Sequence, residues 1–112
     1  MNIDDLTLGQ LKEIQSMCGK AKELKPSPYK LGEKYLIRTI TMIYTGRLVD
    51  VYEQELVIED AAWIADTARW NECLREGKFN EVEPYPDGKV IIGRGAVLDV
   101  AVFEHNLPRE VK

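Results

Sequence analysis

KYLIRTITMIYTGRLVDVYEQELVIED, residues 34–60, is the stretch on which the fold turns. Tyr35 to Tyr44 is dense in Ile, Thr and Tyr, whose branched or flat side chains suit a pleated surface. Leu36, Ile37, Ile40, Met42 and Ile43 do not alternate cleanly with polar residues, which predicts burial on both faces in places. Gly46 predicts a break, Arg47 to Tyr52 resumes the strand pattern, and Glu53-Gln54 predicts a turn. Glu55 to Asp60 alternates Leu56 and Ile58 with charged neighbours. Three consecutive antiparallel strands are the economical reading.

Upstream, Thr7 with Gln10 is a capping-box signature, and Leu8, Leu11, Ile14 and Met17 or Cys18 follow at helical spacing up to Gly19. The spacing predicts a short amphipathic helix over 7–18, then a lysine-rich connector to residue 34. Downstream, Asp66-Thr67 is a cap for a second short helix over 66–76, closed by Gly77. Residues 79–86 read as an irregular acidic segment, and Pro86-Asp87-Gly88 as a turn. Lys89 to Ile92 and Ala96 to Phe103 predict the last strands, with residues 104–112 a tail or a short partner-contacting arm. The expected fold class is α+β: one domain over 1–112 with about five strands in a small bent antiparallel sheet or barrel.

Length and composition narrow the function classes. At 112 residues the chain has room for one hydrophobic core. With 45% apolar residues it is too apolar for a disordered segment. No uncharged stretch approaches the ~20 residues of a membrane helix. No basic and apolar leader opens the chain, and Cys18 and Cys73 make no disulfide framework, so a cytoplasmic setting is expected. The net charge of −4 is unevenly spread: +3 over residues 1–49, −8 over 50–87 and +1 over 88–112. A protein that coats long nucleic acid needs a broad basic face, which this layout does not supply. A few arginines converging on one small anion remain affordable.

Catalysis is not expected. His105 is the one histidine, near the C-terminus, and no Ser or Cys sits in a nucleophile motif. No CxxC, HxxxH or EF-hand spacing points to a metal, and no cofactor is implied. Gly93-Arg94-Gly95, between two strand patterns, is the more informative motif. Two glycines let the backbone turn tightly and approach a ligand, while the planar guanidinium meets phosphate in a two-pronged geometry. The competing reading is a barrel corner whose arginine pairs with a carboxylate such as Asp99. Arg47 follows Gly46 in the same style, and Arg38 lies within a strand and needs a partner if it points inward. Trp70, Phe79 and Tyr85 are aromatic residues in or beside irregular structure, near Asn71 and Asn80. Each either packs in the core or stacks on a base.

Two families resemble parts of this pattern. Tyr44 to Asp60, with its glycine, alternating apolar residues and aspartate, looks like the first half of an Sm-like barrel. Val90-Ile-Ile-Gly-Arg-Gly-Ala-Val97 looks like the second half. That resemblance implies an Sm/SH3-like barrel and, as one function, a ring that binds single-stranded RNA. It departs from the family in the roughly thirty residues inserted between the halves. Asp50-Val-Tyr-Glu-Gln54 also stands where the family's pocket has Asp-x-x-x-Asn.

Taken whole, the chain also resembles small phage-encoded proteins of the Thoeris anti-defence type. The points of contact are the N-terminal helix, the Tyr-Leu-Ile-Arg-Thr strand, Ile43–Arg47, Ala61–Thr67, Gly93-Arg-Gly95 and Leu107-Pro-Arg109. That resemblance implies a sponge that sequesters a cyclic ADP-ribose isomer, or cyclic oligonucleotides, in the host cytoplasm. It would work as a homo-oligomer, a dimer or a larger ring such as a hexamer. Trp70 would stack on adenine, Asn80 or Asn71 would read a polar edge, and Arg47 and Arg94 would grip the pyrophosphate, with Arg38 as a further candidate. The sponge is the leading expectation, the RNA-binding ring its alternative, and a structural or adaptor phage protein the third.

Overall fold

The structure is a computed structural model and describes residues 27–86 and 89–112. The predicted helix over 7–18, with Cys18, lies outside the described residues, as do Asp87 and Gly88 of the predicted turn. Strands β1 (Lys34–Thr39), β2 (Ile43–Val51) and β3 (Glu55–Asp66) form the antiparallel meander read from residues 34–60. A helix, α1 (Trp70–Glu76), and β4 (Glu81–Pro84) follow. Then come β5 (Val90–Gly93), a single 3-10 turn over Arg94–Ala96, and β6 (Val97–Val102). The strand order is β4-β3-β2-β1-β6, and β5 also pairs with β3. The α+β class therefore holds, with six strands where about five were expected. No helix among the described residues is long and apolar enough to cross a membrane.

The first hairpin breaks at residues 40–42, not at Gly46. Thr39 closes it: its N–H and its hydroxyl both donate to the Met42 carbonyl at 2.8 Å, and its Oγ1 accepts the Met42 N–H at 3.0 Å. A threonine that satisfies three polar groups of a tight turn locally outweighs a glycine as the turning point. Gly46 lies inside β2 for a packing reason. A Cβ there would stand 2.8 Å from Ile58 Cδ1 and 3.2 Å from the Glu59 carbonyl oxygen, so only glycine lets β2 and β3 close at their bulge.

The third strand does not end at Asp60 but bends there. Asp60 takes φ 50°, and the strand runs on through Ala61, Ala62 and Ile64, all buried. Its first half, Glu55–Ile58, pairs with β5, and its second half, Ala62–Asp66, pairs with β4. The acidic segment after α1 therefore contains a strand. Glu81-Val82-Glu83 alternates, with Val82 only 2% exposed between two outward carboxylates.

Two apolar clusters lie on opposite faces of this sheet, which is why β1 is buried on both sides. Tyr35, Ile37, Leu48, Leu56, Ile58 and Ile92 form one, with Val97 and Val100 of β6 packed on it. Side chains from β5 and β6, at different places in the strand order, meet on that face, so the sheet curls around it. Leu36, Ala62, Ile64, Val82 and Phe103 form the other, capped by Cys73, Phe79 and Trp70. Phe79 and Tyr85 are thereby packing residues: Phe79 stacks on Phe103 at 5.8 Å and Tyr85 on Tyr44 at 6.3 Å.

The helix begins at Trp70, four residues later than predicted. Asp66 ends β3, and its carboxylate accepts the Ala68 N–H at 2.8 Å without capping the helix. That turn holds Ala68 at φ 58°, a left-handed conformation that is costly for a residue with a Cβ. Ala68→Gly is expected to stabilise the fold by about 0.5–1 kcal/mol. A melting curve displaced upward by about 3–6 °C would register it; an unchanged or lowered midpoint would show the turn to be unstrained. Gly77 closes the helix as predicted, with φ 71° and its N–H on the Cys73 carbonyl at 2.8 Å.

Residues 104–112 form a strap packed on the fold and not a free tail. Lys34 Nζ donates to the His105 carbonyl at 2.6 Å, and His105 Nε2 lies 2.9 Å from the Leu74 carbonyl oxygen. Arg109 donates to the Ala61 and Tyr85 carbonyls, both at 3.2 Å. Lys112 exchanges two backbone hydrogen bonds with Val82 at 2.9 Å, which pairs it with β4.

Candidate functional site

The 3-10 turn after β5 and the loop between β2 and β3 are forty residues apart in sequence and meet in space. Arg94 joins them. Its backbone N–H donates to the Gln54 carbonyl and its Nη1 to the Tyr52 carbonyl, both at 2.8 Å. The loop holds its own shape through the Tyr52 N–H on the Glu55 carbonyl at 2.8 Å. Arg94 also lies over the Tyr29 ring, 5.4 Å from its centroid. A guanidinium carries five N–H groups in a rigid plane. Only Nη1 is hydrogen-bonded within the described residues, so the fork keeps capacity for an anion. Tyr52 stands 53% exposed at the loop tip, beside exposed Ile91 and the edge of Val57. A cation fixed on the loop backbone with donors to spare is the part needed to hold a phosphate.

The other sequence candidates lie elsewhere. Arg38 on β1 faces Asp99 on β6 across the ladder, donating from Nε to Oδ1 at 2.7 Å and from Nη2 to Oδ2. The carboxylate named as a partner for Arg94 is thus taken by Arg38. These hydrogen bonds hold Asp99 below the usual carboxylate range. Its share of stability is therefore present above its unfolded pKa and fades as pH falls through the folded one, and half-exposed side chains screen it. Trp70 covers the same guanidinium at 4.8 Å, so Arg38 and Trp70 are brought together and one face of the indole is occupied. Asn71 is exposed next to Trp70 on α1.

Arg47 pairs with Asp60 at 2.8 Å and Glu59 at 3.6 Å, in a network that Lys89 joins at 3.8 Å. Asn80 serves the turn before β4: its N–H meets the Asp66 carbonyl at 2.9 Å and its Nδ2 lies 3.5 Å from Asp66 Oδ2. Within one chain Arg38, Trp70 and Asn71 therefore share one place, while Arg47, Asn80 and Arg94 lie apart from it and from one another, and among these candidates Arg94 joins two loops. The residues that sequence reading did not single out are Tyr52, Gln54, Tyr29 and Tyr35. Tyr52 and Gln54 had a signal, standing inside the loop where the Sm-like pattern places its pocket. The tyrosines at 29 and 35 had none, because their role depends on Arg94 arriving from another strand.

Burial pushes the Cys73 thiol up from its ordinary pKa, and its Sγ lies 3.1 Å from the Trp70 carbonyl oxygen, so it packs as a small apolar group. His105 packs edge-on against Phe103 at 5.2 Å and belongs to the strap.

No family model matches the chain, and no curated protein matches it. Among solved structures, one similar chain is that of a heptameric archaeal Sm protein, at 19% identity and a TM-score of 0.46. The similarity covers 64% of this chain and 87% of that one.

Proposed function

We propose that this chain is a non-catalytic binding module of Sm-like build that holds single-stranded RNA where the 52–54 loop meets the 94–96 turn. It acts as a homo-oligomer, because a site this shallow gains affinity when several copies present it along one strand. The observation that carries the reading is Arg94 of the turn bonded twice to the 52–54 loop, with spare N–H groups on its guanidinium. The −8 stretch over residues 50–87 limits contact to a few nucleotides per copy and opposes a general nucleic-acid coat. Fluorescence anisotropy with labelled single-stranded oligonucleotides checks this. The expected result is micromolar or tighter binding that weakens between 50 and 200 mM salt by about three- to sevenfold, the mark of one or two phosphate contacts. Absence of binding below about 100 µM, or binding indifferent to salt, would remove the RNA reading.

A second reading is favoured by the charge pairing. Arg38 and Arg47 are spent on carboxylates, which leaves little positive charge for a polymer and enough for one small anion. That reading is sequestration of a cyclic nucleotide, such as a cyclic ADP-ribose isomer, without turnover. Calorimetry against cyclic ADP-ribose isomers and cyclic oligonucleotides separates the two: micromolar binding of one of them, recovered intact, with no RNA binding selects sequestration.

A further inference from the structure

A groove of about 470 Å³ has Arg94 in its lining, together with Tyr29, Tyr35 and residues of β6. Its floor is Val97 and Val100, which also pack on the interior cluster and are therefore held in place. Its inner wall is Tyr35, 4% exposed, whose hydroxyl accepts the Lys30 N–H at 3.0 Å and so keeps its own proton to donate. Tyr29 stands edge-on to Tyr35, with ring centroids 6.0 Å apart at 83°, and Arg94 covers Tyr29 at 5.4 Å. Tyr29 is thus gripped on two sides and presents a pre-set aromatic wall. Asp99 also lines the groove, but its charge is matched by the two hydrogen bonds from Arg38. Among the described residues that line this space, the charge without a carboxylate partner is the Arg94 guanidinium.

An apolar floor, aromatic walls and the Arg94 cation suit a flat ring that carries an anionic group. The volume lies within the ~300–1,000 Å³ usual for small-ligand pockets. We infer that this groove is a nucleotide subsite, with a base laid against Tyr29 and Val100 and its phosphate at the Arg94 edge. The inference rests on the nucleic-acid reading above and extends it: Arg94 sits between two adjacent base positions on one strand, the loop junction and the groove. An extended peptide added along the edge of β6 that no described strand pairs is the competing occupant.

Leu98 and Val102 line the groove and are 65% and 53% exposed, so a carboxylate at either place enters the groove without disturbing the core. The experiment measures binding of labelled ribo-oligonucleotides of one to four residues to the full chain, to Leu98→Glu, to Val102→Glu and to Tyr29→Leu. Melting curves and oligomer mass are recorded for each. In the wild-type chain, affinity is expected to rise at least tenfold between one and three nucleotides. In the three variants that gain is expected to disappear, with melting unchanged in the two Glu variants. A gain that survives all three substitutions overturns the groove and leaves the loop junction standing. Binding of single nucleotides that Val102→Glu abolishes, with no gain from length, keeps the groove and removes the RNA reading. A wild-type chain that binds none of the probes overturns both.

Discussion

Gly77→Ala is expected to cost about 2–4 kcal/mol and to lower the melting midpoint by about 10–20 °C. Two independent penalties combine. Gly77 has φ 71°, where a Cβ costs about 1–2 kcal/mol. The added methyl would also stand 2.5 Å from His105 Cβ and 2.7 Å from its Cδ2. His105 cannot simply rotate away, since the closest atoms are at the base of its side chain and its carbonyl is held by Lys34. Relief requires the strap to lift from the end of α1, loosening Phe103 and the Lys112 pairing to β4. The single variant His105→Gly and the double variant Gly77→Ala with His105→Gly separate the penalties: removing the whole side chain should recover part of the loss and retain the backbone share. Thermal and urea unfolding of the three variants measures this. A Gly77→Ala chain melting within a degree of wild type would show that the strap does not rest on the helix.

Arg94→Ala is expected to weaken ligand binding about 10–100-fold, the largest functional effect of any single arginine. Two losses act together. The guanidinium that would meet a phosphate disappears, and the Tyr52 carbonyl loses the Nη1 donor that ties the 52–54 loop to the turn. The loop then pays ordering entropy on binding that Arg94 pays in advance. Arg94→Lys should restore little, because an ammonium is a point charge and cannot hold Tyr52 while presenting a second planar edge. Stability should fall by only about 1 kcal/mol, the share of one such hydrogen bond. Arg47→Ala is the control: its guanidinium is engaged by Glu59 and Asp60, so binding should stay within about twofold. Anisotropy titrations of the three variants decide between this assignment and one in which Arg47 carries the anion.

The two expectations differ in how much of them is visible in the chain. The cost at Gly77 is half legible: a glycine after an amphipathic run predicts a left-handed helix end, and the structure has it. That His105 presses on the same glycine is not legible, because it depends on where a strap of nine residues crosses the fold. The meander over 34–60 is readable because residues 35–44 are dense in Ile, Thr and Tyr and Leu56 and Ile58 alternate with charged neighbours. Its turn was misplaced because Gly46 is the stronger local signal, whereas the actual turn is stabilised by Thr39 bonding to Met42. β4 was hidden by its charges: Glu81 and Glu83 face outward, and only its pairing with β3 marks the segment as a strand. Asp60 and the bend in β3 follow from the same cause, a long strand that serves β5 with one half and β4 with the other.

By itself the sequence determined the strand-rich α+β class, the helix end at Gly77, the arginine-bearing turn at 93–95 and the absence of any charge surplus for a long polyanion. Those properties are local or additive: propensity, pattern, a glycine's freedom and a sum of charges do not depend on who the neighbours are. The tertiary structure decided which arginine is available. Arg38, Arg47 and Arg94 each lie in or beside a strand pattern, and nothing local says which partner each will meet. The sheet pairs Arg38 with Asp99 and Arg47 with Asp60, and turns Arg94 toward backbone carbonyls and a tyrosine ring. Pairing is set by register across strands tens of residues apart, and no local signal encodes it.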